Sequence, residues 1–184
     1  LLFDTSNETK ASFTYKRLRE YPPSGGPSTL RESTENGMIL SYAESLLQKI
    51  NWEGIAMVEF KIDKRDNEPK LMEINPRFWG SLHLPLHAGV DFPRRLYEYG
   101  MNEPIIQNTN YKIGIQCRYL LPADLLNLIS KHNIKAAKEF FPIQDDNLYY
   151  DICSWDDPVP VLGRLLAMGR FSLSPEMWKK VVFR

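Results

Sequence analysis

Cysteine is scarce in this chain: Cys117 and Cys153 are the only two among 184 residues. That is too few for a disulfide framework, so both thiols are expected reduced and the chain cytoplasmic. Net charge is missing as well, because 23 basic residues balance 23 acidic ones. Such a balance gives no electrostatic pull toward nucleic acid or an anionic membrane surface. No apolar run is long enough to span a bilayer, and no internal repeat is present. The apolar share of 43% and charged share of 25% are those of an ordinary globular protein. The length suits one sizeable core with an appendage. No bulk property points to a function, so local motifs have to.

The most informative stretch runs from Gly54 to Gly80. Ala56 to Asp63 and Lys70 to Asn75 read as strands, and Lys64-Arg65-Asp66-Asn67-Glu68-Pro69 reads as the turn between them. Side chains alternate along a strand. Val58, Phe60 and Ile62 therefore share one face of the first strand, and Met72 and Ile74 share one face of the second. Both sets reach the same side of a sheet only if paired residue numbers sum to an even value, which requires an odd loop or a bulge. A three-residue loop sets Glu59 opposite Glu73; moving the turn by one sets Glu59 opposite Asn75. In either register Glu59, Glu73 and Asn75 converge on the face away from the core. Facing carboxylates repel, and a hard divalent cation such as Mg²⁺ offsets that through oxygen ligands. Arg77 adds a rigid fork for phosphate or carboxylate oxygens. On pattern alone a second reading stands equal: an ordinary hairpin with a charged, solvated face, where Lys61 and Asp63 make cross-strand ion pairs.

Glu59, Glu73 and Asn75 together resemble the metal-binding end of the ATP-grasp superfamily. There, a glutamate on one strand and a Glu-x-Asn pair on the next coordinate magnesium beneath the ATP phosphates. Tyr15 through Ser28 and Phe78 through Pro93 resemble its carbamoyl-phosphate-synthase-like branch, over roughly residues 1–100. The resemblance implies ATP and Mg²⁺, or Mn²⁺ in its place, held by Glu59, Glu73 and Asn75. It places Tyr15 and Arg17 beside the cofactor and makes Arg77 the catalytic arginine. Gly25, Gly26 and Ser28 would meet the acceptor substrate, with Ser81 also on the substrate side. The implied fold is α+β, an antiparallel sheet flanked by helices: the C-terminal ATP-grasp subdomain without its N-terminal domain and lid. The implied function is that of a fragment of a carboxylate–amine or carboxylate–thiol ligase working through an acyl phosphate. Its partners would be a small carboxylate and an amine or thiol acceptor, with no nucleic acid and no membrane, and a homo-oligomer is a further expectation. The alternative is a non-catalytic binding or assembly module of the same family.

Along the chain, residues 1–4 and about 10–20 read as an antiparallel pair turning at Thr5 to Glu8. In Pro22 to Thr29, Gly25 and Gly26 allow close backbone approach to an anion, and are equally at home in a plain turn. Residues 33–50 have helical spacing at Ile39, Leu40, Ala43, Leu46, Leu47 and Ile50, with Ser33 or Thr34 as cap. His83 and His87 have the spacing of two metal ligands on one helical face, but Pro85 and the lack of a third soft ligand argue against zinc. Asp91 caps a short helix to about Met101, with Phe92, Leu96 and Tyr97 expected inward. Beyond it, Ile113 to Leu121 reads as a strand; Asp124 to Ser130, Ile134 to Phe141 and Val159 to Met168 read as helices, and Pro175 to Val182 as a docking tail helix. Residues 1–100 are expected to form the ATP-grasp part and 101–184 a family-specific extension.

Overall fold

The structure is a computed structural model. It describes residues 1–105, 110–131, 134–141, 145–154 and 156–172, with side chains as far as 170. The expected tail helix after Pro175, and Pro142 as a helix stop, lie outside the described residues. The chain divides into two compact units. One comprises Leu1–Leu18 and Arg31–Cys117; the other comprises Arg19–Leu30 and the chain from Arg118 onward. The content is α+β, with antiparallel sheets and helices, as the sequence implied.

In the first unit, β1 (Leu2–Phe3) lies between β2 (Thr9–Ala11) and β5 (Gly54–Ile55), antiparallel to both. The turn from Asp4 to Glu8 is held by the Asp4 carboxylate, which accepts from the Ser6 and Glu8 amides at 3.0 Å. Asn7 takes a positive φ of 63° there, a conformation asparagine tolerates better than most residues. The expected long pairing partner breaks after Ala11. Its continuation is a separate strand, β3 (Thr14–Glu20), which pairs with β4 (Ser28–Thr34).

β4 corrects the helix start. Ser33 and Thr34 close this strand rather than cap a helix. The Ser33 hydroxyl donates to Lys112 O at 2.8 Å and accepts from the Ile115 amide at 2.9 Å. Helix α1 (Gly37–Lys49) begins after Asn36, whose side chain accepts from the Ile39 amide at 3.1 Å. The helix buries Ala43 and Leu47 against Leu1, Phe3 and Ala56, and Leu40, Val58, Phe60 and Ile74 pack around this cluster. That core backs the hairpin of β6 (Met57–Ile62) and β7 (Pro69–Asn75). After a short helix α2 (His83–Ala88), Asp91 caps α3 (Phe92–Gly100) by accepting from the Arg94 amide at 2.9 Å. Phe92 packs edge-on to Trp79. Tyr97 does not point inward. It shares the outer face with Arg94 and is 62% exposed, while Glu98 is buried between Arg94 and Arg95.

The expected strand from Ile113 shrinks to β8 (Gln116–Arg118), because Gly114 turns the chain at φ +82°. The second unit holds a π-helical turn (Leu120–Asp124), α4 (Leu125–Lys131), α5 (Ile134–Phe140), β9 (Leu148–Tyr150) and α6 (Val159–Ser172). Its centre is polar. Asp124 accepts from Thr29 Oγ1 at 2.8 Å and Arg118 Nε at 2.6 Å, and pairs with Arg19 Nη2 at 3.0 Å. The Arg118 guanidinium also lies over the Phe140 ring, 4.1 Å from its centroid. Among the described residues no helix is long and apolar enough to cross a membrane.

Candidate functional site

The hairpin solves the parity problem with a bulge. Ile62 pairs with Pro69, Lys61 with Lys70 and Phe60 with Leu71; beyond the shift Glu59 pairs with Glu73, Val58 with Ile74 and Met57 with Asn75. Met72 is the extra residue. It is 57% exposed, so it does not belong to the inward apolar set, and Leu71 takes the position opposite Phe60. A bulge inserts one unpaired residue and resets the facing of everything after it. Here it keeps Val58 and Ile74 on the core side and places Glu59 directly across from Glu73. The connecting turn is closed by the Asp63 amide donating to Glu68 O at 2.9 Å, and Asn67 adopts a φ of 58°.

Lys61 faces another lysine, Lys70, and Lys70 pairs with Asp66 at 2.8 Å. Asp63 accepts from the Arg65 side chain and amide, and those bonds lower its carboxyl pKa to about 2. The charged turn is thus compensated locally, at the end of the hairpin away from Glu59.

At the other end the polar groups form three bonded sets. Arg17 Nη2 makes a short ion pair with Glu59 Oε2. Glu73 Oε1 accepts from Asn75 Nδ2 at 2.6 Å. Asn75 Oδ1 accepts from Arg77 Nη2 at 3.4 Å, and Arg77 Nη1 donates to Phe78 O at 3.0 Å. Ser81 Oγ donates to the Tyr15 hydroxyl at 2.8 Å, which donates to Met57 Sδ at 3.2 Å. Burial raises the Tyr15 pKa above its usual value, against the opposing pull of Ser81, Arg17 and Arg31, so the hydroxyl keeps its proton and remains a donor.

Met57 stands opposite Asn75, and the Ser81–Tyr15–Met57 chain ties β6, the partner of the strand that carries Glu73 and Asn75, to Tyr15 on β3. The role of Met57 escaped sequence reasoning, although the register that sets Glu59 opposite Glu73 also pairs Met57 with Asn75. A cleft of about 460 Å³ runs along the same elements; Arg17 and Glu59 line it together with Phe13, Ile39, Leu40 and Trp79.

Seven of the sequence-predicted site residues thus fall in one unit, in three bonded sets brought onto neighbouring strands by the hairpin register: Arg17 with Glu59, Glu73 with Asn75 and Arg77, and Tyr15 with Ser81. Gly25, Gly26 and Ser28 belong to the other unit. There the Gly25 amide donates to Pro22 O at 3.1 Å, closing a turn at φ +133°. A Cβ on Gly26 would lie 2.2 Å from Tyr21 O, so glycine is required by backbone crowding. Ser28 Oγ donates to Leu30 O at 3.1 Å.

The site's donor set fits magnesium. Two carboxylates share a face, an amide oxygen stands two residues on, and all three are hard oxygen donors of the kind Mg²⁺ takes alongside phosphates. Among the described residues no group of three or more His, Cys, Asp or Glu forms a metal cluster. His83 and His87 stack edge-on with centroids 6.3 Å apart and have no third ligand of that kind.

A family model described as ATP-grasp in the biosynthetic pathway with Ter operon matches residues 8–121. The matched span contains every site residue named above. No curated protein matches the chain.

Proposed function

The chain belongs to the ATP-grasp family, whose members are generally ATP-dependent ligases, and we propose that it supplies the metal- and phosphate-binding end of a carboxylate–amine or carboxylate–thiol ligase. One observation carries the reading: Glu59 lies directly across from Glu73, with Asn75, Arg17 and Arg77 bonded around them. Glu59, Glu73 and Asn75 would hold Mg²⁺, which supplies charge neutralisation for phosphate oxygens. Arg77 would meet the transferred phosphoryl group or the acceptor carboxylate, stabilising charge that develops there. Phosphoryl transfer depends chiefly on positioning. Positioning here falls to the bulge, which fixes the facing of Glu73, and to the Ser81–Tyr15–Met57 tie. An acyl phosphate attacked by an amine or thiol needs no covalent nucleophile from the protein, and none is assigned. The likeness of Tyr15–Ser28 and Phe78–Pro93 supports a carbamoyl-phosphate-synthase-like branch, with residues 101–184 as its own extension.

Glu73→Gln tests this. The substitution keeps shape and removes charge, so the protein should fold normally by circular dichroism yet release no ADP with carboxylate acceptors. Full turnover by the variant would refute the assignment. A second reading, a non-catalytic assembly module, draws on α6, where Val159, Leu162, Leu165 and Leu166 are all exposed.

A further inference from the structure

Glu59 and Glu73 are compensated in different ways. Glu73 takes a neutral amide donor from its own strand, Asn75, and Asn75 in turn takes Arg77. Glu59 takes a full positive charge from a separate strand, the guanidinium of Arg17 on β3. The pair is partly open, with side chains 34% and 24% exposed, and both residues line the cleft. The neighbouring cations are committed elsewhere: Lys16 to Glu32 at 2.7 Å and Lys70 to Asp66 at 2.8 Å. Lys61 lies on the Glu59 face, across from Lys70.

A guanidinium and a divalent cation repel each other at this range, so each weakens the other's hold on a shared carboxylate. Arginine is also the side chain whose planar fork matches phosphate oxygens as well as it matches a carboxylate. Its long stem allows rotation within the open cleft without moving β3.

We propose that Arg17 serves two anions in turn. It holds Glu59 while the carboxylate pair has no divalent cation, and it turns to the polyphosphate when a cation takes Glu59. This rests on the metal reading above. Arg17 is thereby a competitor for the metal alone and a ligand for the nucleotide, and these roles have opposite signs in one substitution.

Titration with Mn²⁺, followed by electron paramagnetic resonance, separates them. Without nucleotide, Arg17→Ala should bind Mn²⁺ about two- to fivefold more tightly than the natural chain, the loss expected from a partly exposed ion pair. In saturating Mn²⁺ the same variant should bind ATP about tenfold more weakly, having lost a charge-assisted bond. Arg17→Lys, which keeps the charge but not the fork, should restore the competition with Mn²⁺ and only part of the ATP affinity. Weakening of both affinities in Arg17→Ala would mean a merely structural role and would overturn the exchange, as would an unchanged Mn²⁺ affinity. If the natural chain takes up no Mn²⁺, and Glu73→Gln behaves identically, the metal reading itself fails and the exchange with it.

Discussion

Asp124→Asn should destabilise the second unit by about 3–5 kcal/mol, the range for removing one partner of a buried ion pair. Asp124 is fully buried, and the side chains of Arg118 and Arg19 are 1% and 9% exposed. One carboxylate thus stands between two buried guanidiniums, at 2.6 Å from Arg118 Nε and 3.0 Å from Arg19 Nη2. At such separations each attraction is about 6 kcal/mol for an effective dielectric near 20, and desolvation and the repulsion between the arginines oppose part of it. Burial already pulls the Arg19 pKa below its usual value, against the raising effect of Asp124. Asparagine keeps the shape and an acceptor for Arg118 or Thr29 but removes the charge the two cations share, leaving Arg19 only the field of Glu139. Urea denaturation gives the global change. Hydrogen exchange at the amides of α4 (Leu125–Lys131), which starts next to Asp124, assigns it to this unit. A loss under about 1 kcal/mol would show that the arginines find another carboxylate, and the cluster would then not be the centre of the unit.

Gly26→Ala should cost about 1–3 kcal/mol as an overpacking change, because its Cβ would stand 2.2 Å from Tyr21 O; thermal melting reads this, and an unchanged midpoint would mean that the turn relaxes freely. For Asp63 the folded pKa is lowered to about 2 by its Arg65 bonds. Its contribution is therefore complete above the ordinary carboxylate value near 4 and is lost as pH falls toward 2. An NMR titration of its carboxyl carbon should find a midpoint near 2, and a midpoint near 4 would show that Arg65 does not hold it in solution.

The hairpin was legible because its argument is one of parity. The apolar residues of β6 and the end of β7 had to share a face, and that alone set Glu59 across from either Glu73 or Asn75, on the face away from the core. Which device was used, and therefore the fate of Met72, was not legible, since a loop of either length is compatible with the turn residues. β4 was hidden for a different reason. Its inward positions are Thr29, Arg31 and Ser33, all buried, so a perfect period of two carries no hydrophobic signal. With that strand unseen, Ser33 and Thr34 looked like caps, and the true cap, Asn36, was passed over. The Asp124 cluster joins residues about a hundred positions apart in sequence, and no local pattern announces such a contact. Tyr97 was misplaced because an aromatic at helical spacing is usually inward, whereas here the buried position goes to Glu98 with two arginines beside it.

The central claim is that Glu59, Glu73 and Asn75 hold a divalent cation against nucleotide phosphates. Calorimetry of ATP binding with and without Mg²⁺, for the natural chain and for Glu73→Gln, tests it most directly. The account predicts binding that requires Mg²⁺ and that weakens at least about tenfold in Glu73→Gln, as loss of a metal-site group should. Equal affinity with and without Mg²⁺, or equal affinity in the variant, would contradict it and leave the hairpin as architecture.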